Sequence, residues 1–343
     1  MSATAVDPEL VAALAGLAGS LSGSGGEPEV LSARGGGLLV RSGDVVAKAH
    51  PADTDRTELA ARVRVATHPL LRGILLPPLT AGADEPDAPI LRVRDRLVTL
   101  WPAGQPLDPA QPGAVPWAEA GRLLARLHAV PPAAVSGPAE LPRAGGPARV
   151  RRALRRLDEL DGVLGADERA AVERIRDACR HLPPEVCAEP GGQGVTGGGG
   201  DRELAPTDDG CRPTTLAHGD WHLGQLVRPP DASPTGLVLI DVDDLGLGDP
   251  AWDLARPAAW YAVGLLDPRD WWAFLEAYRA AGGCAVPAEG DPWPVLDLPA
   301  RALVVQHAAL GVLASWRERR PLDEVERRLI DACHRIAAVH GSF

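Results

Sequence analysis

The stretch "LAHGDWHLGQLV", Leu216 to Val227, decides how this chain is read, together with "LIDVDD", Leu239 to Asp244, which follows it. Asp220 stands between His218 and His222, with Gly219 before it and Gln225 five residues after it. A zinc site would need the two imidazoles on one helical face, but Gly219 and the "HLGQ" turn oppose a helix, and no third ligand follows at metal spacing. A serine hydrolase would need a Gly-x-Ser-x-Gly elbow, and the sequence has none. Phosphoryl transfer fits the residues better. It needs a carboxylate to take the proton of an attacking hydroxyl, oxygen ligands for Mg²⁺ and a cation on the phosphates. Asp220, in a tight loop, supplies the first. The amide oxygen of Gln225 and the carboxylate of Asp241, at the end of the apolar run Leu237–Ile240, supply hard ligands of the kind Mg²⁺ prefers.

The cation comes from an unusual composition. Of 35 basic residues, 34 are arginine, and the one lysine is Lys48. Ala, Gly, Pro and Arg are abundant, as if a coding bias had replaced lysine wherever arginine would serve. A lysine that survives such a bias marks a place where a compact point charge fits and a planar fork does not. Lys48 lies in "LLVRSGDVVAKAH", two apolar runs around Ser42-Gly43-Asp44 that read as a hairpin. Glu58, on the helix predicted next in "HPADTDRTELAARVRVATHP", is placed to pair with it. Thr54 or Asp53 is the expected cap of that helix, and Pro69 its end. The turn Gly35-Gly36-Gly37 can bring backbone N–H groups close to phosphates.

The rest of the pattern gives the organisation. Residues 1–23 read as a short amphipathic helix without the basic start of a signal peptide. From Glu29 to Leu100 the pattern is mostly strand-like, with "GILLPPLTAG" and "APILRVRDRLVTLWPAG" supplying further strands. Beyond Trp101-Pro102 it is mainly helical, and residues 186–213, rich in Gly and Pro, read as a flexible loop. The expected fold class is α+β: a small β-rich N-lobe (1–100), a hinge (101–105) and a larger, mainly α-helical C-lobe (106–343). A net charge of −11 argues against nucleic-acid partners and favours a neutral or cationic acceptor. No apolar run approaches the roughly 18 residues of a membrane span. The five cysteines form no CxxC pair and are odd in number, as expected of reduced thiols in a cytoplasmic protein.

Taken together, these residues resemble the aminoglycoside phosphotransferase / choline kinase family, small-molecule kinases on the protein-kinase-like fold. "HGDWHLGQ" is similar to that family's catalytic loop, and "LIDVDDLGLGDPAWDLA" to its metal-binding strand and the following helix. "VVAKAH" matches its nucleotide-lysine strand, and "AGRLLARLHAV" the first helix of its large lobe. The resemblance runs from about Glu29 to Val339. It implies Asp220 as catalytic base, Asp241 as principal Mg²⁺ ligand, Lys48 as ATP phosphate ligand and Asp253 as a brace for the catalytic loop. Gln225 departs from the family, which usually has Asn there; maltokinase and glucosamine kinase members share the "HLGQ" ending and keep a sugar acceptor in play. The expected activity is transfer of the γ-phosphate of MgATP to a hydroxyl of a small molecule, an aminoglycoside-like antibiotic or a sugar. A Ser/Thr kinase of a precursor peptide is the alternative. A pseudokinase is a third reading, against which Lys48, Asp220 and Asp241 speak.

Overall fold

A computed structural model describes residues 7–33, 35–80, 89–107, 115–136, 141–160, 162–187, 214–230 and 236–340. In chain order the elements are α1 (Pro8–Leu21), β1 (Glu29–Ser32), β2 (Leu38–Ser42), β3 (Val45–Ala49), α2 (Arg56–Thr67), β4 (Ile90–Val93), β5 (Arg96–Pro102), β6 (Gln105–Pro106), α3 (Trp117–His128), α4 (Pro132–Val135), α5 (Gly146–Asp158), α6 (Ala166–Arg180) and α7 (Pro184–Cys187). They continue as β7 (Thr215–Ala217), β8 (Leu226–Arg228), β9 (Val238–Leu239), β10 (Gly246–Gly248), α8 (Ala251–Ala262), α9 (Pro268–Ala280), α10 (Trp293–Glu318) and α11 (Glu324–His340). A β-sheet N-terminal region thus precedes a helical C-terminal region, the α+β class expected.

The hairpin read at Ser42-Gly43-Asp44 is present. β2 and β3 pair antiparallel from Leu38↔Ala49 to Ser42↔Val45. Gly43 has φ +58, the positive value that two-residue hairpin turns demand, and a Cβ there would run into Ser24. The sheet order is β1-β2-β3-β5-β4. Alternation sorts its faces. Leu38, Val40, Val45, Ala47, Ala49, Val98 and Leu100 point to one side, where Leu10, Leu14 and Ala18 of α1 cover them. Lys48 therefore points to the other side. The helix α2 begins one or two residues later than a cap at Thr54 or Asp53 would set it, because Asp55 accepts from the N–H groups of Thr57 and Glu58 and is the cap. Its Leu59 and Val63 pack on Ile90 and Leu97.

Up to Thr80, the last of its described residues, "GILLPPLTAG" forms no strand. Pro77 and Pro78 cannot donate to a ladder. The described part makes isolated bridges, Leu75 with Arg72 and Leu239, and Leu79 with Leu100. Val186 and Cys187 close α7, and the remainder of the 186–213 loop lies outside the described residues.

By compactness the chain divides into two units: Met1–Ala144 with Thr215–Leu247 and Ala273–Gly283, and Gly145–Thr214 with Gly248–Trp272 and Cys284–Phe343. In the first, β6, β8 and β9 form a small sheet, and β7 pairs with β10. Leu123, Leu124 and Leu127 of α3 are buried as their spacing predicts. In the second, α10 packs against α5, α6, α8 and α11. It is long and apolar enough to cross a membrane, contrary to the reading that no such run exists, but 72% of its most apolar window is buried inside the fold. That is the position of a core helix.

Gly121 marks a close approach of two helices in the first unit. A Cβ on this α3 residue would meet the Phe274 carbonyl oxygen of α9, with the Tyr278 backbone behind it. Because backbone cannot rotate away as a side chain can, Gly121→Ala is expected to lose about 1–3 kcal/mol of stability. A urea denaturation midpoint equal to that of the wild type would show that the helices do not touch there.

Candidate active site

The site is assembled by short strands whose register brings distant segments side by side. β8 pairs with β9 through Leu226↔Leu239, and Ile240 donates its N–H to the Gln225 carbonyl at 2.9 Å. The ladder continues to the segment after α2, with Leu239 N–H on the Ile74 carbonyl and Leu76 N–H on the Leu239 carbonyl, both at 2.8 Å. Gln225 and Asp241 therefore leave adjacent strand ends together. A side-chain tie adds to this: the Nε2 of buried His218 lies 2.9 Å from the Ile240 carbonyl oxygen and locks the "HGDWH" loop to the same strand. His218 is thus a hydrogen-bonding residue and Trp221 a packing one, its ring 5.0 Å from that of Phe274.

Two backbone specials sit at the site. Gly219, immediately before Asp220, has φ +80, which glycine adopts without strain. Asp241 has φ +65. A non-glycine residue held there costs on the order of 1–3 kcal/mol and persists only where its surroundings dictate it, which is a recurrent property of functional positions.

The surroundings of Asp241 are charged. Lys48 Nζ lies 2.7 Å from Asp241 Oδ1 and 2.9 Å from Asp243 Oδ2. The Lys48 side chain is 12% exposed, against 35% for Asp241 and 33% for Asp243, so the ammonium is the inner member and the carboxylates keep an open side. Burial pulls the Lys48 ammonium toward neutrality, but the charges of Asp241 and Asp243 outweigh it and hold the lysine well above its ordinary pKa. Burial likewise pushes the two carboxyls up, and the Lys48 charge brings both below the usual carboxylate range. At neutral pH one cation thus faces two anions. The surplus negative charge suits a divalent metal.

The donor set also suits it. Gln225 Nε2 stands 3.3 Å from Asp241 Oδ2, and a half-turn of the amide puts its carbonyl oxygen there instead. Among the described residues no three His, Cys, Asp or Glu side chains are arranged to hold a metal ion by themselves. A metal here would rest on Asp241, Gln225 and oxygens of a bound nucleotide, the sparse protein ligation usual for Mg²⁺.

Asp220 sits at the mouth of the loop between β7 and β8. Its Oδ2 is 3.9 Å from Nε2 of His222, whose Nδ1 accepts the Gly224 N–H at 3.0 Å. With Nδ1 so engaged, a neutral His222 carries its proton on Nε2, facing the Asp220 carboxylate.

Glu58 is not brought to Lys48. It is half exposed and pairs with Arg62 one turn on, at 3.0 Å, while Arg62 Nε donates to the Leu245 carbonyl at 3.0 Å. Asp55, nearby in sequence, is occupied as the cap of α2. Gly35 and Gly36 have φ +61 and +82, a turn open to glycine, and the Gly36 carbonyl accepts from the Arg96 guanidinium. Arg96 also donates through Nε to the His50 carbonyl at 2.6 Å, fastening the Gly35–Gly37 turn to the end of β3. Neither Arg96 nor His50 was singled out in the sequence. His50 had a signal, since residues two apart on a strand share a face and it follows Lys48 by two. Asp253 lies buried on α8. Tyr261, Trp271 and Trp293 stack on one another, with centroids 5.4–6.3 Å apart, as packing residues of the second unit. Trp260 meets His307 edge-on.

Comparison with known proteins gives the family and the fold. Residues 38–293 match the sequence profile of the phosphotransferase enzyme family, so the chain belongs to that family. It is an ATP-dependent kinase. No curated protein matches the sequence. Among solved structures it is similar to a thermostable mutant of the aminoglycoside phosphotransferase APH(4)-Ia, with TM-score 0.54 and 12% identity over 94% of this chain and 97% of that one. It is also similar to a choline/ethanolamine kinase family protein from Mesorhizobium loti, with TM-score 0.52 and 20% identity over 98% and 95%. A third similar structure is spectinomycin phosphotransferase APH(9)-Ia, with TM-score 0.50 and 12% identity over 99% of each chain.

The lysine is the sharpest test of the site. Its compact ammonium holds two carboxylates within 3 Å, whereas a longer, planar guanidinium would carry its charge to a different place in the same buried space. Lys48→Arg is expected to slow ATP turnover by about 10²-fold, the penalty of a cation displaced by an ångström or so, with the unfolding midpoint unchanged. Wild-type turnover in that variant would mean that any cation suffices.

Proposed function

We propose that the protein transfers the γ-phosphate of MgATP to a hydroxyl of a small acceptor, an aminoglycoside-like antibiotic or a sugar. The observation that carries this reading is the meeting of Lys48, Asp241 and Gln225, from three separated segments, beside a loop that presents Asp220. In this reading Asp220 accepts the acceptor's hydroxyl proton as the new oxygen–phosphorus bond forms and the bond to the β-phosphate oxygen breaks, leaving ADP. His222, through Nε2–H, steadies the Asp220 carboxylate as an anion. Lys48 holds phosphate oxygens, and the N–H groups of Gly35, Gly36 and Gly37 approach them from the turn. Asp241 and Gln225 hold Mg²⁺, which when bound neutralises charge on the transferring phosphoryl group.

The acceptor class is drawn from the acidic balance of the chain and from its structural relatives. A net charge of −11 favours a cationic acceptor through long-range attraction. The structure of spectinomycin phosphotransferase that this chain resembles was solved with ADP and spectinomycin. Nothing in the fold favours the peptide alternative.

Purified protein offered MgATP with aminoglycosides, with simple and amino sugars, and with Ser/Thr peptides is expected to release ADP with one of the first two sets. Asp220→Asn is expected to lower kcat by about 10²–10⁴-fold, the usual share of a general base, while ATP still binds. Turnover confined to peptides would replace the acceptor class, and an undiminished Asp220→Asn rate would remove Asp220 from the chemistry.

A further inference from the structure

Two carboxylates hold Lys48, and the proposed function assigns a metal to only one of them. Asp241 is already shared: Oδ1 takes the lysine and the Asp243 N–H at 3.3 Å, and Oδ2 faces the Gln225 amide. With Oδ2 given to a metal, Asp241 keeps only Oδ1 for the cation, and that oxygen also takes the Asp243 N–H. Glu58, placed by sequence to do so, is held by Arg62.

Asp243 is differently situated, because its support comes from the sheet. Across β3 and β5, Lys48 pairs with Thr99 and Val46 with Trp101. Paired residues share a face, as do residues two apart. Lys48, His50, Thr99 and Trp101 therefore all lie on the face turned away from α1. There they form a chain of contacts: Trp101 Nε1–H donates to Thr99 Oγ1 at 2.8 Å, and Thr99 Oγ1 lies 2.9 Å from His50 Nε2. His50 Nδ1 stands 3.3 Å from Asp243 Oδ1, and Asp243 Oδ2 is 2.9 Å from Lys48 Nζ. The indole N–H can only donate, so the threonine oxygen accepts it and keeps its own proton and a second lone pair, which serve either tautomer of His50. The carboxylate chooses between them, because only a proton on Nδ1 faces Asp243 favourably. The opposite tautomer would set a lone pair against that anion. His50 and Thr99 are fully buried, which shields the arrangement from water.

We infer that Asp243 is the positioning residue of Lys48, the carboxylate that keeps its ammonium in place while Asp241 serves the metal, and that His50, backed by Thr99 and Trp101, holds Asp243. The inference rests on the phosphotransfer reading for what Lys48 does, but the pairing itself can be read without turnover.

The single lysine makes the experiment clean, because protein labelled with ¹³Cε-lysine gives one side-chain signal, that of Lys48. The near-isosteric Asp243→Asn and the buried His50→Leu are both expected to move that signal, and an unmoved signal in Asp243→Asn would remove the pairing. ADP affinity measured by calorimetry separates the roles. Asp243→Asn is expected to weaken ADP binding about tenfold when Lys48 is present, a coupling ordinary for charged groups in contact, and to leave it unchanged in a Lys48→Met background. That dependence on Lys48 should persist in EDTA. A loss seen only with Mg²⁺ and equal in both lysine backgrounds would make Asp243 a metal ligand and overturn the assignment. A wild type that transfers phosphate to no acceptor would sink the proposed function, while the lysine signal would still decide the pairing.

Discussion

Everything at this site depends on placing one ammonium between two carboxylates without neutralising any of them. Burial alone would strip charge from all three groups. Together they stay ionised, because each anion lowers the cost of the buried cation and the cation lowers theirs. The arrangement carries one negative charge too many, and that imbalance is what a divalent ion and a polyphosphate would settle between them. The sheet serves this purpose geometrically. One face is spent on α1 and its apolar stripe, which frees the other to carry Lys48, His50 and Thr99 in register.

The loop that carries Asp220 is built on the opposite economy. It has little regular structure of its own, so it borrows rigidity from neighbours: a glycine at positive φ before Asp220, an imidazole on the Ile240 carbonyl, and an indole packed on Phe274. Glu119 of α3 adds a further tie by accepting the Leu237 N–H at 2.8 Å, just before β9. Asp241 then takes a left-handed backbone that its side chain alone would not choose. The strain is tolerated because the flanking peptide groups are committed to the β8–β9 ladder and to Gln225.

What was legible in the sequence was whatever depends on neighbours in the chain. The hairpin at Gly43, the burial of Leu123, Leu124 and Leu127, and the lone lysine on β3 all follow from period, turn chemistry and composition. The two acidic motifs could be read because their residues sit a few positions apart on strand ends. Glu58 shows where such reasoning stops. Its place on α2 follows from the sequence, but which way the helix is rotated over the sheet is set by Leu59 and Val63 packing on Ile90 and Leu97, and that rotation gives Glu58 to Arg62. The cap at Asp55, in place of Thr54 or Asp53, is a shift of a residue or two that only backbone geometry resolves. Asp243 and Arg96 lie in charged stretches where nothing distinguishes a solvated side chain from one that reaches across to another segment.

Arg96 has a consequence for the glycine turn that concerns the polarity of a single peptide plane. The carbonyl of Gly36 and the N–H of Gly37 belong to one rigid amide and point in opposite directions. By binding the carbonyl end, the guanidinium fixes the other end as a donor facing away from it. A glycine turn left to itself could flip that plane and offer an acceptor, which would repel an anion. Whether the turn attracts or rejects negative charge is thus decided by an arginine on β5, outside the turn altogether.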